Sequence, residues 1–214
     1  MRFKYQPFEE DILVIGKGGS GKTYLCKKLI LKSMKRIPCW LWDARHQYSE
    51  LSDDFEIVHS VKDLPYTKAI LQPDSTDIET FDQFCKKALS WNNLVVVVEE
   101  AHLYSGKYKI RSKGFAEIVN AGRPLGISFI AITRRPQQIH NDILSDAEHI
   151  FCFDVELPTD VEYMTKWIGQ EVQLFIAPEQ RKIEGFGYGS QGRLAPHSFV
   201  YRNIKDGSTE IGRL

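Results

Sequence analysis

The sequence predicts an α/β fold with a mostly parallel central sheet that is flanked by helices. Short apolar runs alternate with longer segments of helical character, which is typical of strand and crossover-helix units. A glycine-rich stretch directly follows the first apolar run, and a later, uniformly apolar run ends in two glutamates. The length of 214 residues suffices for one sizeable core of this class.

The first half of the chain opens with a predicted βαβ unit. The apolar run Ile12–Ile15 predicts a strand, residues 24–34 predict a helix, and Cys39–Trp42 predicts the next strand. Shorter strands are then expected at 55–59 and 69–72, followed by a helix at 79–91.

The second half contains the most apolar strands. Leu94–Val98 is uniformly apolar and rich in β-branched residues, which suits a strand buried on both faces, and Ile127–Thr133 has a similar character. His149–Phe153 predicts one more strand. The segments around these strands are a polar loop at 104–114, a helix at 115–120, a helix around 160–168, and short C-terminal hairpins at 183–188 and 198–201.

Composition predicts a single intracellular domain. No linker rich in Pro, Ser or Gly divides residues 1–214, so we expect one domain with a core at about 11–155 and an extension at about 156–214. Lys plus Arg and Asp plus Glu number 28 each, so any nucleic-acid contact must be local. The four cysteines lie in apolar runs, as reduced thiols do. Neither a signal peptide nor a membrane span is expected.

Residues 16–23, GKGGSGKT, fit the phosphate-binding loop pattern G-x-x-x-x-G-K-[ST] in full and follow the first strand. Glycines let backbone N–H groups turn toward a phosphate, and the next helix points the positive end of its dipole at the same charge. In this pattern Lys22 reaches the terminal phosphates and Thr23 ligates magnesium. We therefore expect ATP and Mg²⁺ as ligands. The predicted nucleotide-binding residues are Gly16, Lys17, Gly18, Gly19, Ser20, Gly21, Lys22, Thr23 and Tyr24.

Two glutamates follow the apolar run Leu94–Val98. One acid at such a strand end would hold the hydration shell of the magnesium ion, and the next would orient and deprotonate the attacking water. We assign Glu99 to the metal and Glu100 to catalysis. The alternative is an acid-rich helix N-terminus, which the helix dipole favours without any function. The upstream phosphate-binding loop favours the catalytic interpretation.

Four segments resemble the additional-strand P-loop ATPases, and within them the FtsK–HerA superfamily of DNA-pumping motors. They read VVVVEEAH, WDARHQYSEL, NAGRPLGISFIAITRRPQQI and ILSDAEHIFCF, and the resemblance covers roughly residues 11–155. The compact chain is most similar to the genome-packaging ATPases of icosahedral viruses with an internal membrane, including archaeal viruses.

This resemblance implies a RecA-like P-loop NTPase fold and an ATP hydrolase that translocates double-stranded DNA, packaging a viral genome into a preformed capsid. It also implies a homo-oligomeric ring, hexameric or pentameric, that works with capsid or membrane vertex proteins in the host cytoplasm or the virion.

Some positions carry a family role or depart from the family pattern. Arg123 matches a position that acts as an arginine finger across a subunit boundary, and its alternative is an ordinary surface arginine. The family usually has Asp where this chain has Glu99, and Gln as the γ-phosphate sensor where it has Arg134. Arg134 would contact that phosphate by charge, or Gln137 or Gln138 would supply an amide.

The loop YSGKYKIRSKG is the best candidate for DNA contact. Its cations alternate with other side chains and would grip successive phosphates, with Tyr108 available for stacking. The alternative is a solvated surface loop. The candidate contacts are Lys107, Lys109, Arg111 and Lys113.

Other functions remain open at this stage. A small-molecule kinase shares the phosphate-binding loop, although the adjacent Glu99 and Glu100 argue against it. A plasmid-transfer or chromosome-segregation pump shares the motor motifs, and a non-hydrolytic switch shares the binding motif. Tyr188 and Pro196 are both candidates for packing on adenine, and their spacing selects neither.

Overall fold

A computed structural model describes residues 5–33, 37–155, 157–176 and 192–214. The strands in these residues are β1 (Ile12–Ile15), β2 (Cys39–Trp42), β3 (Glu56–Val58), β4 (Lys68–Leu71), β5 (Leu94–Val98), β6 (Ile127–Thr133), β7 (His149–Phe153), β8 (Ser198–Asn203) and β9 (Thr209–Arg213). The α-helices are α1 (Lys22–Ser33), α2 (Ile78–Leu89), α3 (His102–Ser105), α4 (Lys113–Ala121), α5 (Asn141–Asp146) and α6 (Pro158–Trp167).

All nine described strands belong to one sheet, in the order β3-β4-β2-β5-β6-β1-β7-β8-β9. Strands β1 to β7 run parallel, and β8 and β9 are antiparallel to their neighbours. Strand β6 lies between β1 and β5, which is the additional strand that the resemblance implies. The carboxyl ends of these three strands are level, since Ile15 pairs with Thr133 and Val98 with Ala131. The loops after them therefore meet at one edge of the sheet.

Both faces of the parallel sheet are buried. Leu13 and Ile15 face one apolar cluster, which includes side chains of α2, α4, α5 and α6, and Ile12 and Val14 face the other, which includes α1. This burial explains the uniformly apolar strands that the sequence contains. The four cysteines are buried in the same layers and form no disulfide with one another.

The C-terminal part extends the core sheet. Strand β8 pairs antiparallel with β7, and β9 pairs with β8, so the expected hairpin at 198–201 is confirmed and is longer than predicted. The other expected hairpin, at 183–188, lies outside the described residues. Helices α3 and α5 were not predicted, because a helix of one or two turns is too short to show a clear apolar period. Within the described ranges, every helix is too short or too polar to cross a membrane.

Candidate nucleotide-binding site

The glycine-rich loop connects β1 to α1, and two of its glycines are required by the backbone. Gly16 has φ +155°, and a Cβ there would lie 2.6 Å from the Phe153 Cβ. Gly21 has φ +110°, and its Cβ would lie 2.5 Å from the Leu214 side chain. At Gly18, in contrast, a Cβ would meet nothing within 4 Å. The loop is thus closely packed on the protein side and open above Gly18.

Lys22 begins α1, and its ammonium group returns over the loop to the Lys17 carbonyl oxygen at 2.9 Å. Burial lowers the pKa of Lys22, while the charges of Glu99 and Glu100 act in the opposite direction. The buried hydroxyl of Ser20 has no hydrogen-bond partner within the described part of the chain. A cationic group and an unused donor therefore lie at a loop that is open to a phosphate.

The Tyr24 side chain points away from the glycine-rich loop's cavities into solvent. Its side chain is about half exposed, and the Lys28 ammonium lies 4.5 Å from its ring centroid. Tyr24 lines neither of the two cavities described below.

Glu99 follows β5 and is almost fully buried. The Tyr48 hydroxyl donates a hydrogen bond of 2.5 Å to Glu99 Oε1. Burial raises the pKa of Glu99, and the Tyr48 hydrogen bond and the Lys22 charge partly offset that rise. A buried carboxylate beside a lysine and a hydroxyl has the oxygen chemistry that suits a hard divalent cation.

Glu100 has a left-handed backbone, with φ +51°, which turns the chain sharply between β5 and α3. Its Oε1 atom accepts from Arg134 Nη2 at 2.7 Å and from Arg45 Nε at 3.0 Å. Its Oε2 atom lies 3.5 Å from His102 Nδ1, and burial lowers the pKa of His102. Two arginines and a histidine thus hold the position of this carboxylate.

The glycine-rich loop and the acid pair, Glu99 and Glu100, line the same cavity, of about 130 Å³. Its lining residues are Gly18, Gly19, Lys22, Thr23, Arg45, Gln47, Glu99, Glu100, Ile132, Thr133 and Arg134. The structure thus brings together the two motifs that the sequence predicts would meet. Of the alternatives for a γ-phosphate sensor, Arg134 lines this cavity, whereas Gln137 donates to Asp160 Oδ1 at 2.9 Å and Gln138 is exposed.

The segment after β2, residues 43–48, lies in WDARHQYSEL, one of the segments that carry the family resemblance, but its side chains received no site role from the sequence; we call it the β2 loop. Arg45 contacts Glu100, the Gln47 amide oxygen accepts from the Thr23 hydroxyl at 3.0 Å, and Tyr48 donates to Glu99. Each of these side chains contacts a predicted site residue. The signal was present, because β2 pairs with β5 and the loops after neighbouring parallel strands lie together.

A second cavity, of about 320 Å³, adjoins the glycine-rich loop. Asp154 forms ion pairs at its side with Lys17, at 2.6 Å, and with Arg193, at 2.9 Å. Pro196 and His197 also line it, whereas Tyr188 lies outside the described residues. The remaining lining residues are Gly19, Ser20, Phe175, Leu194, Ala195 and Ser198.

Arg123 lies away from this site. Its guanidinium pairs with Glu148, lies 3.4 Å from Asp11 Oδ2, and donates to the Asp146 carbonyl oxygen at 2.9 Å. Asp11 and Glu148 immediately precede β1 and β7, so these contacts are at the amino ends of the strands, opposite the glycine-rich loop. Arg123 therefore contributes nothing to the site of its own chain.

The cations of the predicted basic loop are all exposed, whereas Ile110 and Ser112 between them are buried. Tyr108 is 86% exposed. The Ser112 hydroxyl accepts from the Phe115 N–H and caps α4. The Arg111 N–H donates to the Tyr104 carbonyl oxygen at 2.9 Å, which ties the loop to α3. The loop is thus anchored by its buried residues and presents its charges to solvent.

Comparisons with known proteins agree with this architecture. The chain matches the B204 genome-packaging NTPase of Sulfolobus turreted icosahedral virus 2 in complex with ATP-gammaS, with a TM-score of 0.75 and 19% identity over 97% of this chain and 98% of that chain. It matches the B204 DNA-packaging ATPase of Sulfolobus turreted icosahedral virus with a TM-score of 0.71 and 22% identity, over 97% and 98% of the two chains.

A third match is EssC (ATPases 2 and 3) from Geobacillus thermodenitrificans, with a TM-score of 0.59 and 14% identity over 97% of this chain and 40% of that chain. At these identities the matches show the fold, and the predicted P-loop ATPase fold is confirmed. No curated protein matches the chain by sequence.

The family model described as "Poxvirus A32 protein" matches residues 2–174, which is most of the chain. The match includes the glycine-rich loop, the acid pair and the β2 loop. The chain belongs to the poxvirus A32 protein family, and the prediction of an ATP hydrolase related to the packaging ATPases is confirmed.

Proposed function

We propose that the protein is a Mg²⁺-dependent ATPase motor that translocates double-stranded DNA and packages a viral genome into a preformed capsid. The observation that carries this proposal is the single cavity lined by both the glycine-rich loop and the glutamate pair. Membership of a family of packaging ATPases supports the motor function.

ATP would bind with its phosphates on the glycine-rich loop. The open space above Gly18 and Gly19 and the unused Ser20 hydroxyl fit a phosphate chain, and Lys22 supplies the positive charge. The second cavity adjoins this loop and would take the nucleoside, with Pro196 against the base. Pro196 lines this cavity together with Ser20, which supports its packing on adenine.

The residues present also fit a magnesium ion. Thr23 Oγ1 and the Glu99 carboxylate are oxygen donors in one cavity, and Mg²⁺ prefers such donors. When bound, the ion would neutralise charge on the phosphate oxygens. Tyr48 would hold the Glu99 carboxylate in place through its hydrogen bond.

Glu100 would act as the general base. Its carboxylate lies in the same cavity as Lys22, and Arg134, Arg45 and His102 fix its position. In this role Glu100 takes a proton from the attacking water, and the Arg134 guanidinium stabilises the negative charge that develops at the γ-phosphate.

The basic loop would contact the DNA backbone. Four exposed cations at alternating positions suit phosphates rather than base edges, so binding would depend strongly on salt and little on sequence. The loop is hydrogen-bonded to α3, and α3 begins two residues after Glu100. A movement of Glu100 during hydrolysis would therefore be transmitted through α3 to the basic loop.

Arg123 would act in trans, as the arginine finger of a homo-oligomeric ring of five or six subunits. Its place at the opposite edge of the sheet is compatible with this role, because it faces away from its own site. The ring would act in the host cytoplasm or the virion, at a capsid or membrane vertex. The same chemistry would also serve a plasmid-transfer or chromosome-segregation pump, which differs from a packaging motor in the DNA that it moves.

One experiment tests the proposal: phosphate release from Mg²⁺-ATP with and without duplex DNA, alongside the oligomeric mass with each nucleotide. We expect release to rise with DNA and with assembly. A variant with Lys107, Lys109, Arg111 and Lys113 changed to Gln should keep its basal rate and lose the DNA stimulation. Transfer of phosphate to a small acceptor would instead identify a kinase, and a single turnover without DNA stimulation would identify a switch.

A further inference from the structure

We propose that Arg45 is a second γ-phosphate-binding residue, which exchanges its ion pair with Glu100 for a bond to the terminal phosphate of ATP. Sequence analysis gave this residue no role. The inference rests on the proposed function, because it requires ATP in the cavity that Arg45 lines.

Hydrogen bonds between residues before and after Arg45 fix the backbone of the β2 loop. Asp43 is fully buried at the end of β2, and its two carboxylate oxygens accept from the Gln47 and Tyr48 N–H groups at 2.8 and 3.0 Å. Its Oδ2 atom also accepts from Gln72 Nε2 at 3.1 Å. Tyr48 in turn is bonded to Glu99. The backbone that carries Arg45 is therefore fixed relative to the acid pair.

The Arg45 side chain itself is half exposed and has room to move. Its one ion pair in the described structure is through Nε to Glu100 Oε1, an oxygen that Arg134 already contacts at the shorter distance. If Arg45 leaves, Glu100 keeps one cation and Oε1 gains a free acceptor position. A carboxylate that acts as a base needs such a position for the water it deprotonates.

The charges of the cavity favour this exchange. Lys22, Arg45 and Arg134 face Glu99 and Glu100, so three cations share one small space with two carboxylates. A γ-phosphate that enters this space adds negative charge and competes with Glu100 for a guanidinium group, which binds phosphate oxygens well. ADP has no γ-phosphate and would leave the Arg45–Glu100 pair intact. Arg45 should therefore discriminate ATP from ADP.

The test is nucleotide affinity at equilibrium, measured with a fluorescent non-hydrolysable ATP analogue and with the matching ADP derivative, both with Mg²⁺. We expect Arg45→Gln to weaken binding of the ATP analogue by about tenfold or more and binding of ADP by less than about twofold. Lys166→Gln is the matched control, because it removes one positive charge from an exposed side chain of α6 that lines neither cavity.

A second variant tests the exchange itself. Glu100→Gln removes the competing carboxylate, so the ATP analogue should bind about two- to fivefold more tightly, with ADP unchanged. This gain should be smaller in the double variant with Arg45→Gln.

The outcomes separate the two proposals. If Arg45→Gln weakens both nucleotides equally or neither of them, or if the double variant keeps the full gain, the role of Arg45 is refuted while ATP binding stands. If the unaltered protein binds neither nucleotide, the proposed function itself fails.

Discussion

Replacing Tyr48 with phenylalanine removes one hydroxyl group from a fully buried side chain and leaves Glu99 without its 2.5 Å hydrogen bond. A hydrogen bond to a charged group contributes about 1.5–3 kcal/mol to stability. For a chain of this size such a loss lowers Tm by about 3 to 12 °C. Burial already raises the pKa of Glu99, and the loss of the donor would raise that pKa further.

The loss of stability caused by Tyr48→Phe should depend on pH, because the substitution raises the pKa of Glu99. A carboxyl whose pKa is raised on folding costs no stability when it is protonated in both states, and it costs stability once it must ionise in the folded protein. The Tyr48→Phe variant should therefore lose more stability at neutral and higher pH than at about pH 4, where an ordinary Glu carboxyl is largely protonated. The acid limb of ATP hydrolysis should also move to higher pH, because Glu99 must be ionised to hold magnesium.

Thermal unfolding at several pH values, together with rate against pH, measures both effects. Tyr163→Phe is the matched control, since its hydroxyl donates to Asn141 at 3.3 Å in an exposed position. A destabilisation that is equal at both pH values, with an unchanged acid limb, would refute the argument that Tyr48 acts through the charge of Glu99.

Two further predictions concern the loop and the opposite edge of the sheet. Gly16→Ala should destabilise the fold by about 1–3 kcal/mol, because the φ of Gly16 is +155° and an added Cβ would lie 2.6 Å from the Phe153 Cβ. Gly18→Ala is the control: an added Cβ there has open space around it, so Tm should stay nearly unchanged. Equal losses of Tm in the two variants would contradict the packing argument. Burial raises the pKa of Asp11 from 3.8 to about 7 and the Arg123 charge opposes that rise, so stability falls as pH rises through this window. Solvent screens the half-exposed Arg123 guanidinium, so Arg123→Ala should cost up to about 1 kcal/mol more above pH 7 than near pH 5 in denaturant unfolding, and a loss independent of pH would count against this reasoning.

Much of the fold could be predicted because the strands are buried on both faces. Leu94–Val98 and Ile127–Thr133 are apolar throughout and have the same bounds in the structure as in the prediction. The bounds of β9, the second strand of the C-terminal hairpin, were not predicted, because its residues are mostly exposed and lack an apolar pattern. Its place is set by pairing with β8, which is a tertiary contact that composition does not record.

The site shows the same division. Lys22 and Glu100 belong to local motifs, and parallel topology then brings both to one cavity. Arg45 and Tyr48 lie in the segment WDARHQYSEL, whose resemblance assigns no role to either side chain, so their contacts with Glu100 and Glu99 become visible only when β2 is paired with β5. Arg123 shows the opposite case, since a motif position predicts its role and its contacts in one subunit do not test that role.

The most direct test of the central claim is a paired measurement on Glu100→Gln: ATP binding at equilibrium and phosphate release with Mg²⁺ and duplex DNA. We predict that the variant binds ATP at least as tightly as the unaltered protein, while release falls by about two to four orders of magnitude, as expected for the loss of a general base. Undiminished phosphate release from this variant would contradict the assignment of Glu100 and, with it, the catalytic site described above.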